Sequence, residues 1–221
     1  MAAQPLRIDF VSDIACPWCV IGLRSLLKAL DAVGDGVVAE IHLHPFELNP
    51  NMPPEGENTF EHVQKKYGST PERSAAARQA IAEHGAAVGF TFNYGPESRI
   101  WNTFDAHRLL HWAALEGRAL DLKQALFKST FTDQRPSNDP DALVAAAHEA
   151  GLDPARAREV LTSGAYADEV RAHEQAWRER GINAVPSIVF NQRWLIQGGQ
   201  PAQVFEQAIR DIASGKAKQA S

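Results

Sequence analysis

Strand-type alternation is confined to the two ends of this chain, and no other feature restricts its fold as much. Leu6, Ile8 and Phe10 alternate with Arg7 and Asp9, and Val37, Ala39, Ile41 and Leu43 alternate again before Pro45. Between these runs Cys19, Leu23, Leu26, Leu27 and Leu30 recur at helical spacing, and Gly34 stops the pattern. The opening therefore reads strand, helix, strand, and such a crossover makes its two strands parallel. Strand character returns only at Ser187-Ile-Val-Phe190 and Arg193-Trp-Leu-Ile196, which the Asn191-Gln192 turn joins as an antiparallel hairpin. Pro201 then opens a final helix with Val204, Phe205, Ala208, Ile209 and Ile212 on one face, and the polar tail from Ser214 to Ser221 is expected to fray.

The stretch between these halves differs in composition. After Asn49-Pro50-Asn51-Met52-Pro53-Pro54-Glu55-Gly56, alanine-rich segments punctuated by Gly, Pro and Asp predict helices near 58–67, 71–87, 103–116, 119–130, 139–150, 154–161 and 164–180. Start signals support them: Asn102-Thr103 precedes Asp105, while Asp139-Pro140 and Asp153-Pro154 place proline at the first helical position. The expected layout is an α/β chain with a βαβ unit in 1–57, a ββα unit in 181–221, and an all-helical insertion of 58–180 between them.

A chain of 221 residues with 44 % hydrophobic composition buries a substantial core without disulfide staples. Neither end carries an apolar run of the roughly 18 residues a membrane span needs. The start, Met1-Ala-Ala-Gln-Pro5-Leu6-Arg7, has no basic patch followed by an apolar segment, so a cytoplasmic location is expected. Lys and Arg number 22 against 27 Asp and Glu, a formal charge of −5, and the one small basic cluster is Lys216-Ala-Lys218. That balance argues against nucleic acid as a partner.

Only two cysteines exist, and Cys16-Pro17-Trp18-Cys19 places them at the junction of the first strand and first helix. Disulfide exchange needs an accessible thiolate and a second thiol close enough to resolve the mixed disulfide. Cys16 falls at the helix start, where free backbone N–H groups and the helix dipole favour a thiolate, and Pro17 suits the first helical position. Cys19 lies one turn on, beside the stripe of Leu23 and Leu26, as the shielded resolving thiol. Trp18 brings no charge, so a less oxidising pair is expected than one with histidine there. Competing readings are weaker. Half of a zinc site lacks a second CxxC, and His107 and His111, four apart on one helix, have no acidic or cysteine partner at motif spacing. A structural disulfide across so short a loop stabilises little.

Several separated motifs carry a resemblance. Ser12-Asp13-Ile14-Ala15-Cys16-Pro17-Trp18-Cys19, His44-Pro-Phe-Glu-Leu-Asn-Pro50, Asn102-Thr103 with Ala106-His107-Arg108, and Gly181-Ile-Asn-Ala-Val-Pro186 resemble the DsbA-like branch of the thioredoxin superfamily, and within it the cytoplasmic FrnE-like group. The resemblance implies a thioredoxin-like fold, βαβ plus ββα, with a large helical insertion. It implies that Pro186 is cis and faces the cysteines, with Val185 free to pair with an extended substrate; on sequence alone Pro186 merely begins a strand. It also implies a buried acid that moves the resolving thiol's proton. Asp13 and Asp9 are the candidates, although Asp13 equally suits an Asx turn and Asp9 a solvent-facing edge position.

The expected activity is therefore thiol–disulfide exchange, as oxidoreductase or isomerase, with protein or small-molecule thiols and disulfides. Cys16 and Cys19 are catalytic, and Pro17, Trp18, Val185 and Pro186 contact substrate. No bound cofactor or metal is expected beyond the redox-active disulfide itself, with glutathione a co-substrate and glutathione or thioredoxin recycling the pair. Glutathione-dependent isomerases of 2-hydroxychromene-2-carboxylate and kappa glutathione transferases resemble the same architecture, but with a serine in place of the first cysteine. A non-enzymatic holdase would grip unfolded chains through an apolar surface around Trp18, Trp101 and Trp112. The Cys16–Cys19 reduction potential, equilibrated against glutathione, is expected to be more reducing than that of a periplasmic DsbA.

Overall fold

The computed structural model describes residues 5–217. Strand β1 (Leu6–Ser12) leads into α1 (Pro17–Val33) and then β2 (Ala39–Pro45). A two-residue strand β3 (Glu57–Asn58) precedes α2 (Thr59–Tyr67) and α3 (Pro71–Ala87), and β4 (Arg99–Ile100) precedes α4 (Phe104–Leu115). Helices α5 (Ala119–Phe127), α6 (Pro140–Glu149), α7 (Pro154–Ser163) and α8 (Ala167–Glu179) follow, before β5 (Ser187–Phe190), β6 (Trp194–Gln197) and α9 (Ala202–Ala213).

The four long strands form one sheet in the order β2-β1-β5-β6. β1 runs parallel to β2, with Leu6 opposite Ala39 and Ser12 opposite Pro45, and antiparallel to β5, with Ile8 opposite Phe190 and Val11 opposite Ser187. The two ends of the sequence thus meet on one central strand, the fold being βαβ, helical insertion, ββα. Leu6, Ile8 and Phe10 enter the main core with Leu23 and Leu26 of α1 and Phe205 and Ile209 of α9. Each large apolar side chain buried there stabilises the fold by about 1.5–3 kcal/mol. Val11, on the other face of β1, packs with Phe46, Trp177 and Ile182.

Several expectations need correction. Asp9 does not face solvent at an edge: β1 is central and Asp9 is fully buried. Asn58 lies outside α2 and caps it, its side-chain oxygen accepting from Phe60 N and Glu61 N, while its backbone belongs to the small β3–β4 pair. α5 stops at Phe127 and continues as a wider π turn over Lys128–Thr132. α7 runs on to Ser163 because Gly164 ends it at φ 74°, and α8 begins only at Ala167. In the hairpin, Phe190 pairs with Trp194, so Arg193 joins Asn191 and Gln192 in the turn, both of the latter at positive φ. Val204 is exposed, whereas Phe205 and Ile209 carry the buried stripe of α9. The tail does not fray from Ser214: the N–H groups of Ser214, Gly215, Lys216 and Ala217 bond back to the carbonyls of Arg210, Ile212 and Asp211, and only 218–221, with Lys218, lie outside the described residues. Met1 to Gln4 lie outside them too. Among the described residues no helix is long and apolar enough to cross a membrane.

Buried Asp9 is held by charge. The Arg7 guanidinium donates to both its oxygens, at 2.7 Å for the shortest bond, and His44 Nε2 lies 2.8 Å from Oδ1. Burial alone would raise its pKa, but His44 and Arg7 outweigh that and lower it to about 2. Asp9→Asn is expected to cost roughly 2 kcal/mol of unfolding free energy at pH 7. Because the folded pKa is depressed, this stability is present above about 3.8 and is lost as the pH falls to about 2. Urea titrations of both proteins at pH 7 and pH 3 should show the gap narrowing.

Candidate active site

Cys16 is the N-cap of α1, with an extended backbone (φ −99°, ψ 111°), and Pro17 occupies the first helical position. Proline has no N–H to leave unsatisfied there and its fixed φ suits a helix start. Cys19 N–H bonds back to the Cys16 carbonyl at 3.1 Å, which holds the two side chains one turn apart. Both are free thiols. Cys19 is completely buried, and Cys16 is only 5 % exposed, so the thiol expected to attack is less open than the sequence suggests. The loop before β5 closes against it: Cys16 Sγ–H donates to the Val185 carbonyl at 3.7 Å, and the Val185–Pro186 peptide is cis.

Close backbone approach makes this closure possible. A Cβ on Gly22 would sit 3.1 Å from Pro186 Cγ, and one on Gly199 would sit 2.9 Å from the Trp18 carbonyl oxygen. At Gly199 the contact is with backbone and leaves no room for a side chain, whereas at Gly22 the Pro186 ring would have to give by a few tenths of an ångström. Trp18 packs partly buried against the core, its ring tilted 5.4 Å from that of His84.

Asp13, three residues before Cys16, is where distant segments converge. Its Oδ1 accepts from Ala15 N at 3.2 Å and from Thr103 Oγ1 at 2.7 Å, and its Oδ2 accepts from Leu48 N at 2.7 Å. His107 Nε2 lies 3.4 Å from Oδ1, off hydrogen-bond alignment but close enough for charge to act. Burial opposes the charged form, yet His107, Leu48 and Thr103 together hold the Asp13 carboxyl below the usual carboxylate range. Asp13 thus makes the Asx turn to Ala15 while being buried, as Asp9 is too. Thr103 spends its hydroxyl on Asp13, so Asn102 caps α4 in its place, accepting from Phe104 N at 2.9 Å. Asp9, by contrast, pairs with Arg7 and His44.

The remaining motif residues are structural. Arg108 is buried and donates to the carbonyls of Ala165, Val160 and Leu161, tying α4 to the end of α7. Glu47 is buried beside Glu174, with Arg171 donating to both; burial first, then the Glu174 charge, push its pKa up to about 7 against Arg171. His111 stands against the rings of Tyr166 and His173, and among the described residues no three His, Cys, Asp or Glu converge to hold a metal ion.

A family model for the DSBA-like thioredoxin domain matches residues 7–210. The chain belongs to that family. Among solved structures, a probable DsbA oxidoreductase of Streptomyces coelicolor is 36 % identical, with 98 % of this chain and 93 % of that one covered and a TM-score of 0.88. A 2-hydroxychromene-2-carboxylate isomerase shares the fold at 15 % identity, 97 % and 100 % coverage and TM-score 0.70. The cytosolic disulfide reductase DsbM of Pseudomonas aeruginosa shares it at 16 % identity, 92 % and 99 % coverage and TM-score 0.61. No curated protein matches.

Sequence reasoning missed three parts of this DSBA-like site. Gly22 and Gly199 gave no signal, because their role is a contact between segments far apart in the chain. The partners of Asp13 were all quoted in motifs, yet nothing in spacing says that Leu48, Thr103 and His107 meet there. Lys123, buried on α5, looked like any helix-surface lysine. Thr103→Val leaves Asp13 Oδ1 without its shortest donor and is expected to destabilise the DSBA-like domain by about 1–3 kcal/mol in urea unfolding.

Proposed function

We propose that this chain is a thiol–disulfide oxidoreductase of protein or small-molecule substrates, with Cys16 as nucleophile and Cys19 as resolving thiol. The observation that carries the reading is the asymmetric dithiol at the start of α1, with the less buried Cys16 sulfur against the Val185 carbonyl beside Pro186. In the reducing direction, Cys16 thiolate attacks a substrate disulfide and one substrate sulfur leaves as thiolate. Cys19 then attacks the Cys16 sulfur, the second substrate sulfur leaves, and the Cys16–Cys19 disulfide holds the two electrons' worth of oxidation. Reversal of these steps oxidises substrate thiols. Pro17 and Trp18 on one side and Val185 and Pro186 on the other form the contact surface, with an extended substrate segment pairing to Val185.

We place the chain in a cytoplasmic setting, with glutathione or thioredoxin recycling the pair. Structural similarity to a cytosolic disulfide reductase whose structure contains glutathione supports the same setting. The FrnE-like grouping rests on the motifs quoted above. The isomerase alternative draws support from the shared fold, but the intact Cys16 thiol leaves no serine hydroxyl to activate glutathione. The holdase reading loses one of its three tryptophans, because Trp112 is buried.

Cys19→Ser is expected to accumulate mixed disulfides through Cys16, seen as a mass increase that dithiothreitol removes, and Cys16→Ser to abolish them. Insulin reduction should fall to background in Cys16→Ser. Unchanged turnover in both variants would overturn the reading.

A further inference from the structure

Five of the eight histidines of this chain line one cavity. It has a volume of about 430 Å³ and takes His42 and His44 from β2, His107 and His111 from α4, and His173 from α8. Lys123 of α5, 1 % exposed, completes its polar lining. The rest of the wall is apolar, with Ile41, Leu43, Leu110, Leu120 and Val170, and Leu115, 66 % exposed, carries it to the surface. Small-molecule sites have volumes of about 300–1,000 Å³ and combine such apolar walls with a few convergent polar groups.

Neither cysteine lines this cavity, nor does Trp18, Val185 or Pro186, so it is separate from the groove over the dithiol. Its polar groups are short of partners. Of the five imidazoles only that of His44 makes a hydrogen bond among the described residues, to Asp9 at 2.8 Å. The Nε2 atoms of His42 and His107 are buried with no hydrogen-bond partner; Glu40 stays 3.9 Å from the first and Asp13 3.4 Å from the second. Leaving a buried nitrogen in this state costs free energy that a ligand acceptor recovers. No Asp or Glu lines the cavity. The acids behind its wall are already engaged, Asp9 with Arg7 and His44, and Asp13 with Ala15, Leu48 and Thr103.

We propose that this cavity binds a small aliphatic monocarboxylate, its head against Lys123 and the imidazoles and its chain against the leucines. The site stands apart from the dithiol chemistry and does not depend on it. Charge sets the head group: every ionisable side chain in the lining is basic, so a cation would meet the Lys123 ammonium with no acid to receive it. A carboxylate offers two acceptor oxygens and takes a bond from the ammonium and from an imidazole N–H at once, both of which are stronger for its charge. The walls set the body, because Ile41, Leu43, Leu110, Leu120 and Val170 present aliphatic surface and no acceptor. Burial also lowers Lys123 to about 8, and an anion beside it favours its charged form.

The test is calorimetric titration of the full chain with octanoate, octanol and octylammonium, three probes with one chain and different heads. Octanoate should bind, octanol should bind about tenfold or more weakly, the range of a lost hydrogen bond to a charged group, and octylammonium should give no heat of binding. This comparison needs no variant. In histidine-selective NMR, octanoate should shift the imidazole signals of His107, His111 and His173 and leave His148 of α6, outside the cavity, in place. Lys123→Met keeps the length of the apolar stem, and should weaken octanoate about tenfold or more while octanol is unchanged. Octanoate that fails to bind, or binds no better than octanol, would overturn the proposal, as would unchanged octanoate affinity in Lys123→Met. Competitive inhibition of insulin reduction by octanoate would place the ligand over the cysteines and overturn it too. Absence of insulin reduction without octanoate would instead sink the dithiol reading, with the binding result unaffected.

Discussion

The buried carboxylate of Asp13 is the tie on which the site depends. It sits in the turn between β1 and Cys16, and its two oxygens take donors from its own turn, from the loop after β2 and from the start of α4. A buried charge of this kind is tolerated only when fully hydrogen-bonded, so each donor segment has one position relative to the cysteine turn. The helical insertion is thereby registered against the sheet beside the cysteine turn. It also explains why Thr103, placed as a helix cap by its sequence, gives its hydroxyl to a residue ninety positions away. The tertiary bond to an anion is stronger than a local cap, and a neighbour, Asn102, takes over the capping.

A second constraint is the closeness of α1 to the segments around β5 and β6. Gly22 and Gly199 remove the side-chain atoms that would otherwise hold Pro186 and the Trp18 turn apart. The result covers Cys16 to 5 % exposure and leaves Cys19 with none. Selective reactivity in such a pair comes from access as much as from chemistry, because a partner disulfide reaches one sulfur and not the other. Burial that shields Cys19 also makes its proton hard to remove.

How much of this was legible before folding differs from element to element. Period-two runs at the two ends, a helical stripe through Leu23 and Leu26, and Pro17, Pro140 and Pro154 at helix starts are local signals, and the structure places strands and helices there. Boundaries failed where a single residue decided them, as at Gly164 and in the three-residue hairpin turn. The strands β3 and β4 were invisible because two residues carry no periodicity. Asp9 was misplaced for a related reason: alternation reveals which face a side chain takes but not whether the strand is central, and β1 is covered on both faces.

The sequence by itself determined the cysteine pair, its place at a strand-to-helix turn, and the order of units that makes a thioredoxin-like sheet with a helical insertion. These are readable because they rest on spacing and residue type within about a dozen positions. Tertiary structure alone decided that Asp9 and Asp13 are both buried, how far Cys16 is covered, which glycines lie within that cover, and that Lys123 is buried on α5. Each of these is a meeting of residues far apart in the chain, fixed by burial and by the need to satisfy buried charge, and neither condition exists until the chain has folded.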